Sequence, residues 1–239
     1  MSGKYLFTSE SVTEGHPDKV ADCISDAILD AILAQDPDSR VACETMITGA
    51  KDKESLKVFI SGEITSDAIV DYSKIAKQTL LEIGYTEECD VDTLIKPQSK
   101  HIAQGVDSDD AHEQGAGDQG LMFGFACNET KELMPLPITL SHKLAKRLTD
   151  ARKSGKLPWL KPDGKSQVSV QYDENNVPIL VDKVVIATQH DDMLDKFNNE
   201  VDESDFIKKN IVEHVIRPVL DSFALDYNNN FLVNGTGRF

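Results

Sequence analysis

Between about residues 17 and 35, Val20, Ile24, Ile28 and Ile32 recur every four positions while Asp22, Asp26 and Asp30 mark another face. That spacing predicts an amphipathic helix, with Pro17 suited to its first position. A strand pair over 41–48 and 55–65 is then expected around the turn-like Gly49-Ala50-Lys51-Asp52-Lys53. A second helix over 67–83 follows, with Ser66 as its N-cap and Gly84 as its stop. The same order returns further on. A helix over 138–153 stops at Gly155, strands over 166–173 and 177–189 flank Glu174-Asn175-Asn176, and a helix over 205–220 carries Ile207, Ile211, Val215 and Val219. Two copies of helix, hairpin, helix imply two similar α+β domains, each burying one sheet face under its helices; chance recurrence of a common order is the alternative. Residues 87–119 between the copies show little periodicity, which reads as a functional lid or a linker.

Composition narrows the class. The 239 residues suit two domains of ordinary size, and 41 Asp and Glu against 25 Lys and Arg leave a formal charge of −16. Nucleic acid and anionic membrane surfaces call for the opposite sign, so neither is expected as a partner. No apolar run reaches the roughly 18 to 20 residues of a membrane span, and the first residues build no signal-peptide core. Cys23, Cys43, Cys89 and Cys127 are widely spaced with no C-x-x-C pair, which points to a reduced, cytoplasmic setting.

Two stretches carry candidate chemistry. Gly115-Ala116-Gly117-Asp118-Gln119-Gly120 matches the dinucleotide fingerprint G-x-G-x-x-G, which works only where a strand enters and a helix leaves. Here an acidic run precedes it and 121–126 reads as strand, so a Rossmann reading is disfavoured and the glycines are expected to serve another close backbone approach. In the second stretch, Glu14-Gly15-His16-Pro17-Asp18-Lys19 opens the first helix, where free N–H groups and the positive macrodipole end face outward. Asp18 either binds Mg²⁺ against phosphate oxygens or merely complements the dipole; His16 either donates to developing negative charge or caps the helix. Lys165 follows Pro162-Asp163-Gly164, a turn signal after which a solvated lysine is ordinary.

These stretches, with Gly62-Glu63-Ile64-Thr65, Leu121-Met122-Phe123-Gly124, Leu157-Pro158-Trp159-Leu160, Lys165-Ser166-Gln167-Val168 and Gly237-Arg238-Phe239, occur in the order seen in S-adenosylmethionine synthetases. Over essentially its whole length the chain resembles that family, also called methionine adenosyltransferase. The resemblance implies an α+β, pseudo-threefold fold whose third domain is largely missing here. It implies an N-terminal domain over 1–101, a mobile loop and glycine-rich segment over 102–120, a central domain over 121–233 and the start of a C-terminal domain over 234–239. The implied reaction is attack of the L-methionine sulfur on C5′ of ATP, with hydrolysis of the released tripolyphosphate to pyrophosphate and phosphate. Carried over by motif, His16 and Lys165 are the catalytic groups on the polyphosphate, and Asp163, Arg238 and Phe239 complete the ATP set. Glu63, Gln98 and Asp118 hold methionine, Asp18 binds Mg²⁺, Glu44 binds K⁺, and Glu10 supports the metal or phosphate cluster from a neighbouring subunit. A homodimer or tetramer with the active site at the interface is implied as well.

The chain departs from the family pattern at Lys100-His101 in the loop and at Gly235, where proline is common. It also stops at Phe239, before further nucleotide and metal ligands of the family, so impaired activity of the chain alone is expected. A non-catalytic regulatory or binding subunit of the same fold is the alternative.

Overall fold

The computed structural model describes residues 4–49, 55–99, 116, 119–197 and 199–237. Asp118, Arg238, Phe239, the loop residues Lys100 and His101, and the glycines at 115 and 117 lie outside the described residues. The chain divides into two compact units, Pro17–Gly124 on the one hand and Met1–His16 with Phe125–Phe239 on the other.

The chain opens with a strand, β1 (Tyr5–Val12), that belongs to the sheet of the second unit. The first unit begins with α1 (Pro17–Leu33), whose stripe of Val20, Ile24, Ile28 and Ile32 is buried as its spacing requires. Strands β2 (Arg40–Gly49) and β3 (Ser55–Thr65) form the antiparallel hairpin, α2 (Tyr72–Ile83) follows, and β4 (Glu88–Lys96) returns parallel to β3. The three-stranded sheet, in order β2-β3-β4, has one face under both helices. Val58 and Ile60 of β3 meet the α1 stripe and Ala76, Leu80 and Ile83 of α2 there.

Two expectations are corrected in this unit. Helix α2 begins at Tyr72, later than expected, and its N-cap is Asp71, whose carboxylate accepts from the amide of Lys74 at 3.0 Å. Ser66 does accept from the Ala68 amide, but Asp36 takes the Asp67 amide and the Ser66 hydroxyl, and Gln35 takes the Ile69 amide. With those amides committed to side chains, the chain forms no regular structure over residues 66–71. Replacing Asp71 by alanine should lower stability by about 1 kcal/mol, read as a shifted urea midpoint with an unchanged slope. The second correction is β4, inside the stretch expected to lack structure. Its outward Asp90 and Asp92 both pair with Lys57 of β3, at 2.5 and 2.8 Å, which offsets the repulsion between them. Helix α2 ends as expected, with Gly84 left-handed at φ 116°.

The second unit repeats the order. After α3 (Leu136–Lys153) come β5 (Leu160–Tyr172) and β6 (Pro178–His190), an antiparallel pair. Then come α4 (Glu200–Ile211), one π-helical turn over Val212–Ile216, the short α5 (Arg217–Leu220), and β7 (Phe231–Val233), which runs parallel to β6. Both units therefore share helix, antiparallel hairpin, helix and parallel third strand. The second adds β1 on the β5 edge, giving the order β1-β5-β6-β7. Leu140, Leu144 and Leu148 of α3 pack with Val168, Val184, Ile186, Ile207 and Ile211 in its core. Each such side chain contributes about 1.5–3 kcal/mol by leaving water.

The helix expected over 205–220 is interrupted because Pro218 has no amide for the His214 carbonyl four residues back. The Arg147 guanidinium donates to that carbonyl instead, at 3.0 Å, and the backbone widens by one π-turn. Residues 121–126, expected as strand, form no regular structure; among the described residues none pairs with them, and Leu121, Met122 and Phe123 are exposed.

Candidate active site

In the second unit, three of the expected residues converge on one end of the four-stranded sheet. Register fixes the arrangement: Val12 of β1 faces Lys165 of β5, Lys165 faces Ala187 of β6, and Gly164 faces Thr188. Beyond Val12 the chain turns through Thr13 to His16, whose amide donates to the Thr13 carbonyl at 3.1 Å. The turn is held on its outer side by Glu14, which pairs with Arg152 at 2.6 Å and Lys153 at 2.8 Å in the last turn of α3.

Pro162-Asp163-Gly164 does not form the expected turn. It lies inside β5 at a register irregularity between Leu160 and Gly164. The reason is Thr13, whose amide donates to the Gly164 carbonyl at 2.9 Å and whose hydroxyl donates to the Pro162 carbonyl at 2.7 Å. Those bonds hold the segment extended. Gly15 packs so closely that a Cβ there would lie 2.3 Å from the Pro162 side chain and 2.5 Å from its carbonyl oxygen, which only glycine permits.

Asp163 sits at the centre of this framework. One of its carboxylate oxygens, Oδ1, is buried without a hydrogen-bond partner among the described residues. Burial pushes the carboxyl above the ordinary aspartate range, and attraction from His16 and Lys165 pulls part of the way back. An unsatisfied buried acceptor is destabilising unless something binds there. Lys165 is exposed and shares a sheet face with Gln167, whose cross-strand partner is Glu10. Glu10 and Lys165 are thus diagonal neighbours on the solvent side of the sheet.

The other expected residues belong to the first unit. Asp18 is exposed in the first turn of α1. Glu44 faces Ser61, and Glu63 faces Ala42, so the two carboxylates lie diagonally on the open face of the three-stranded sheet. The chain leaving β4 returns along the end of β3: the Gln98 amide donates to Thr65 at 3.1 Å and the Ser99 amide to Glu63 at 3.4 Å. Glu63 and Gln98 are thereby brought to the same sheet end. Beside them, a Cβ on Gly62 would lie 2.0 Å from the Ala42 carbonyl oxygen, so only glycine fits there.

Among the described residues no three His, Cys, Asp or Glu side chains converge as a complete metal cage. Mg²⁺ in general needs only one or two protein carboxylates and fills the rest of its shell with water and phosphate oxygens. Asp18 and Glu44 are oxygen donors of the kind Mg²⁺ and K⁺ take.

The sequence matches the model of the S-adenosylmethionine synthetase N-terminal domain over residues 4–105 and that of the central domain over 113–239. The chain belongs to the S-adenosylmethionine synthetase family. It is 50% identical over 249 aligned positions to the S-adenosylmethionine synthase of Desulfosudis oleivorans, with all of this chain and 60% of that protein covered. The chain thus spans about three-fifths of the length of that relative. As a family member it carries the N-terminal and central domain patterns, and the two units above show the repeat on which they are built. Sequence reasoning overlooked Thr13 and did not see why Gly15 is needed, because the partner of both lies some 150 positions away. No helix among the described residues is long and apolar enough to cross a membrane.

Proposed function

We propose that the chain provides the polyphosphate end and the methionine end of a methionine adenosyltransferase site. The observation that carries this reading is the orphaned Oδ1 of Asp163, held beside His16 and Lys165 on a rigid sheet end. A buried acceptor suits a nucleotide hydroxyl or amine, and the donor groups of His16 and Lys165 suit the phosphates. In the reaction a bond forms from the methionine sulfur to C5′ of ATP while the C5′–oxygen bond breaks, so negative charge develops on the departing tripolyphosphate. No proton has to leave the nucleophile. The chain's contribution is therefore alignment and charge stabilisation, which preorganised donors supply.

In this reading His16 and Lys165 stabilise the tripolyphosphate and Asp163 orients the nucleotide. Glu63, Gln98 and Asp118 orient methionine, and Arg238 and Phe239 lie against adenine. Asp18 holds Mg²⁺, which neutralises phosphate charge; Glu44 holds K⁺; Glu10 serves the cluster of a second copy in a homodimer or tetramer. The domain limits at 101, 120 and 233 and a cytoplasmic location belong to the same proposal.

The test is turnover with ATP, L-methionine, Mg²⁺ and K⁺, with the chain alone and supplemented by the part of the Desulfosudis oleivorans protein outside the match. S-adenosylmethionine should form with pyrophosphate and phosphate in equal amounts, most strongly in the supplemented sample. Lys165→Ala should lower kcat by about 100-fold or more. Failure of both samples to form S-adenosylmethionine, or an unchanged kcat in the variant, rejects the reading.

A further inference from the structure

We propose that Thr13 is a positioning residue for the nucleotide end of this site, holding the backbone on both sides of Asp163 while its own carbonyl directs the chain to His16. The inference rests on the nucleotide reading given above and assigns a task to a residue outside its ligand set. Thr13 is 4% exposed and makes contacts in three directions. Its hydroxyl has one proton, which goes to the Pro162 carbonyl at 2.7 Å, with the Gly164 carbonyl at 3.2 Å as the longer alternative. Its amide donates to the Gly164 carbonyl at 2.9 Å, and its carbonyl accepts from the His16 amide at 3.1 Å.

Peptide groups 162 and 164 bracket Asp163, so fixing both carbonyls fixes the direction in which the Asp163 side chain leaves the strand. The methyl of Thr13 adds a steric wall. It would lie 3.3 Å from a Cβ on Gly164, and the Thr188 hydroxyl closes the other side at 3.5 Å. Thr188 is itself buried and clamped, its amide donating to the Asn234 carboxamide at 2.9 Å and its carbonyl accepting from it at 3.1 Å. Glu14, the next residue, is anchored to Arg152 and Lys153, so the segment from Thr13 to His16 has little freedom to follow a displaced β5. A buried hydroxyl at position 13 thus couples the two groups on which the nucleotide reading depends.

Valine matches threonine in shape without the donor, and serine keeps the donor without the methyl. The experiment measures three quantities for the full chain and its Thr13→Val, Thr13→Ser and Asp163→Asn variants: affinity for a non-hydrolysable ATP analogue with Mg²⁺, melting temperature, and the carboxyl ¹³C titration of Asp163 where that residue is present. Thr13→Val should weaken the analogue by about 10-fold to 100-fold, the range expected for a misplaced binding group. It should also bring the Asp163 midpoint down toward the ordinary aspartate range, because a released side chain gains water. Thr13→Ser should stay within about twofold of the parent affinity with the midpoint still raised. A purely structural role would lower the melting temperature and leave the midpoint of the folded protein in place, which overturns the proposal. Parent affinity in Thr13→Val beside lost affinity in Asp163→Asn also overturns it and leaves the nucleotide reading standing. Parent affinity in Asp163→Asn overturns the nucleotide reading itself, and the proposal falls with it.

Discussion

Gly15→Ala should cost the chain both stability and nucleotide affinity. The added Cβ would lie 2.3 Å from the Pro162 Cβ, 2.4 Å from its carbonyl carbon and 2.5 Å from its carbonyl oxygen. None of these atoms is the free end of a flexible side chain, so relief requires moving backbone. Pro162 is not free to move: its carbonyl is bonded to the Thr13 hydroxyl, and the next carbonyl but one to the Thr13 amide. Overpacking of this kind typically destabilises by about 1–3 kcal/mol. For a chain of this size that corresponds to a melting temperature lower by roughly 2–10 °C. The displacement falls on the residue before Asp163 and on the residue before His16, so affinity for an ATP analogue should fall by about 100-fold. Calorimetric titration together with a thermal melt checks both effects; parent affinity in a destabilised protein would separate Gly15 from the site.

Asp163→Asn should have opposite effects on stability and binding. The Asp163 carboxyl is held above the ordinary range chiefly by burial, which means its surroundings disfavour the charged form on balance. Between the unfolded and folded pKa the native state retains a proton that the unfolded chain has lost. Stability therefore declines as pH rises through that window and is level above it. A neutral amide removes this dependence. The variant should melt at a higher temperature than the parent near pH 7, should lose that advantage as the pH falls below the unfolded value, and should bind nucleotide at least about tenfold more weakly. Thermal melts from pH 3 to pH 8 beside a binding titration measure all of this. A lower melting temperature at pH 7 would mean that the carboxylate has a compensating partner.

How much could be read in advance depended on how local each signal is. The α1 stripe of Val20, Ile24, Ile28 and Ile32 needs only one turn of neighbours to be recognised, and it is buried throughout. The hairpins and the Gly84 stop were legible for the same reason. Strand β4 was hidden because its outward positions are acidic, and the Lys57 that neutralises Asp90 and Asp92 lies more than 30 residues earlier. Strand β1 was hidden because its partner, β5, lies some 150 positions away. The parallel third strands, β4 and β7, which make the two units true repeats, were missed with it.

The candidate site divides along the same line. His16 and Lys165 were recognisable as residues in family motifs and Asp163 as a neighbour of one, but Pro162-Asp163-Gly164 carried the local signature of a turn. Only the long-range bonds from Thr13 reveal that the segment is extended and that Asp163 points into a buried setting. Local pattern nominated the candidate residues, and tertiary hydrogen bonds decided their geometry.

The most direct test of the central claim, that this sheet end binds the polyphosphate and nucleotide, is an amide chemical-shift map of the chain titrated with tripolyphosphate and then with an ATP analogue, each with Mg²⁺. The expected result is saturable shifts concentrated at Gly15, His16, Gly164 and Lys165, and their loss in His16→Ala. Saturable shifts centred elsewhere, or an undiminished response in that variant, would contradict the account.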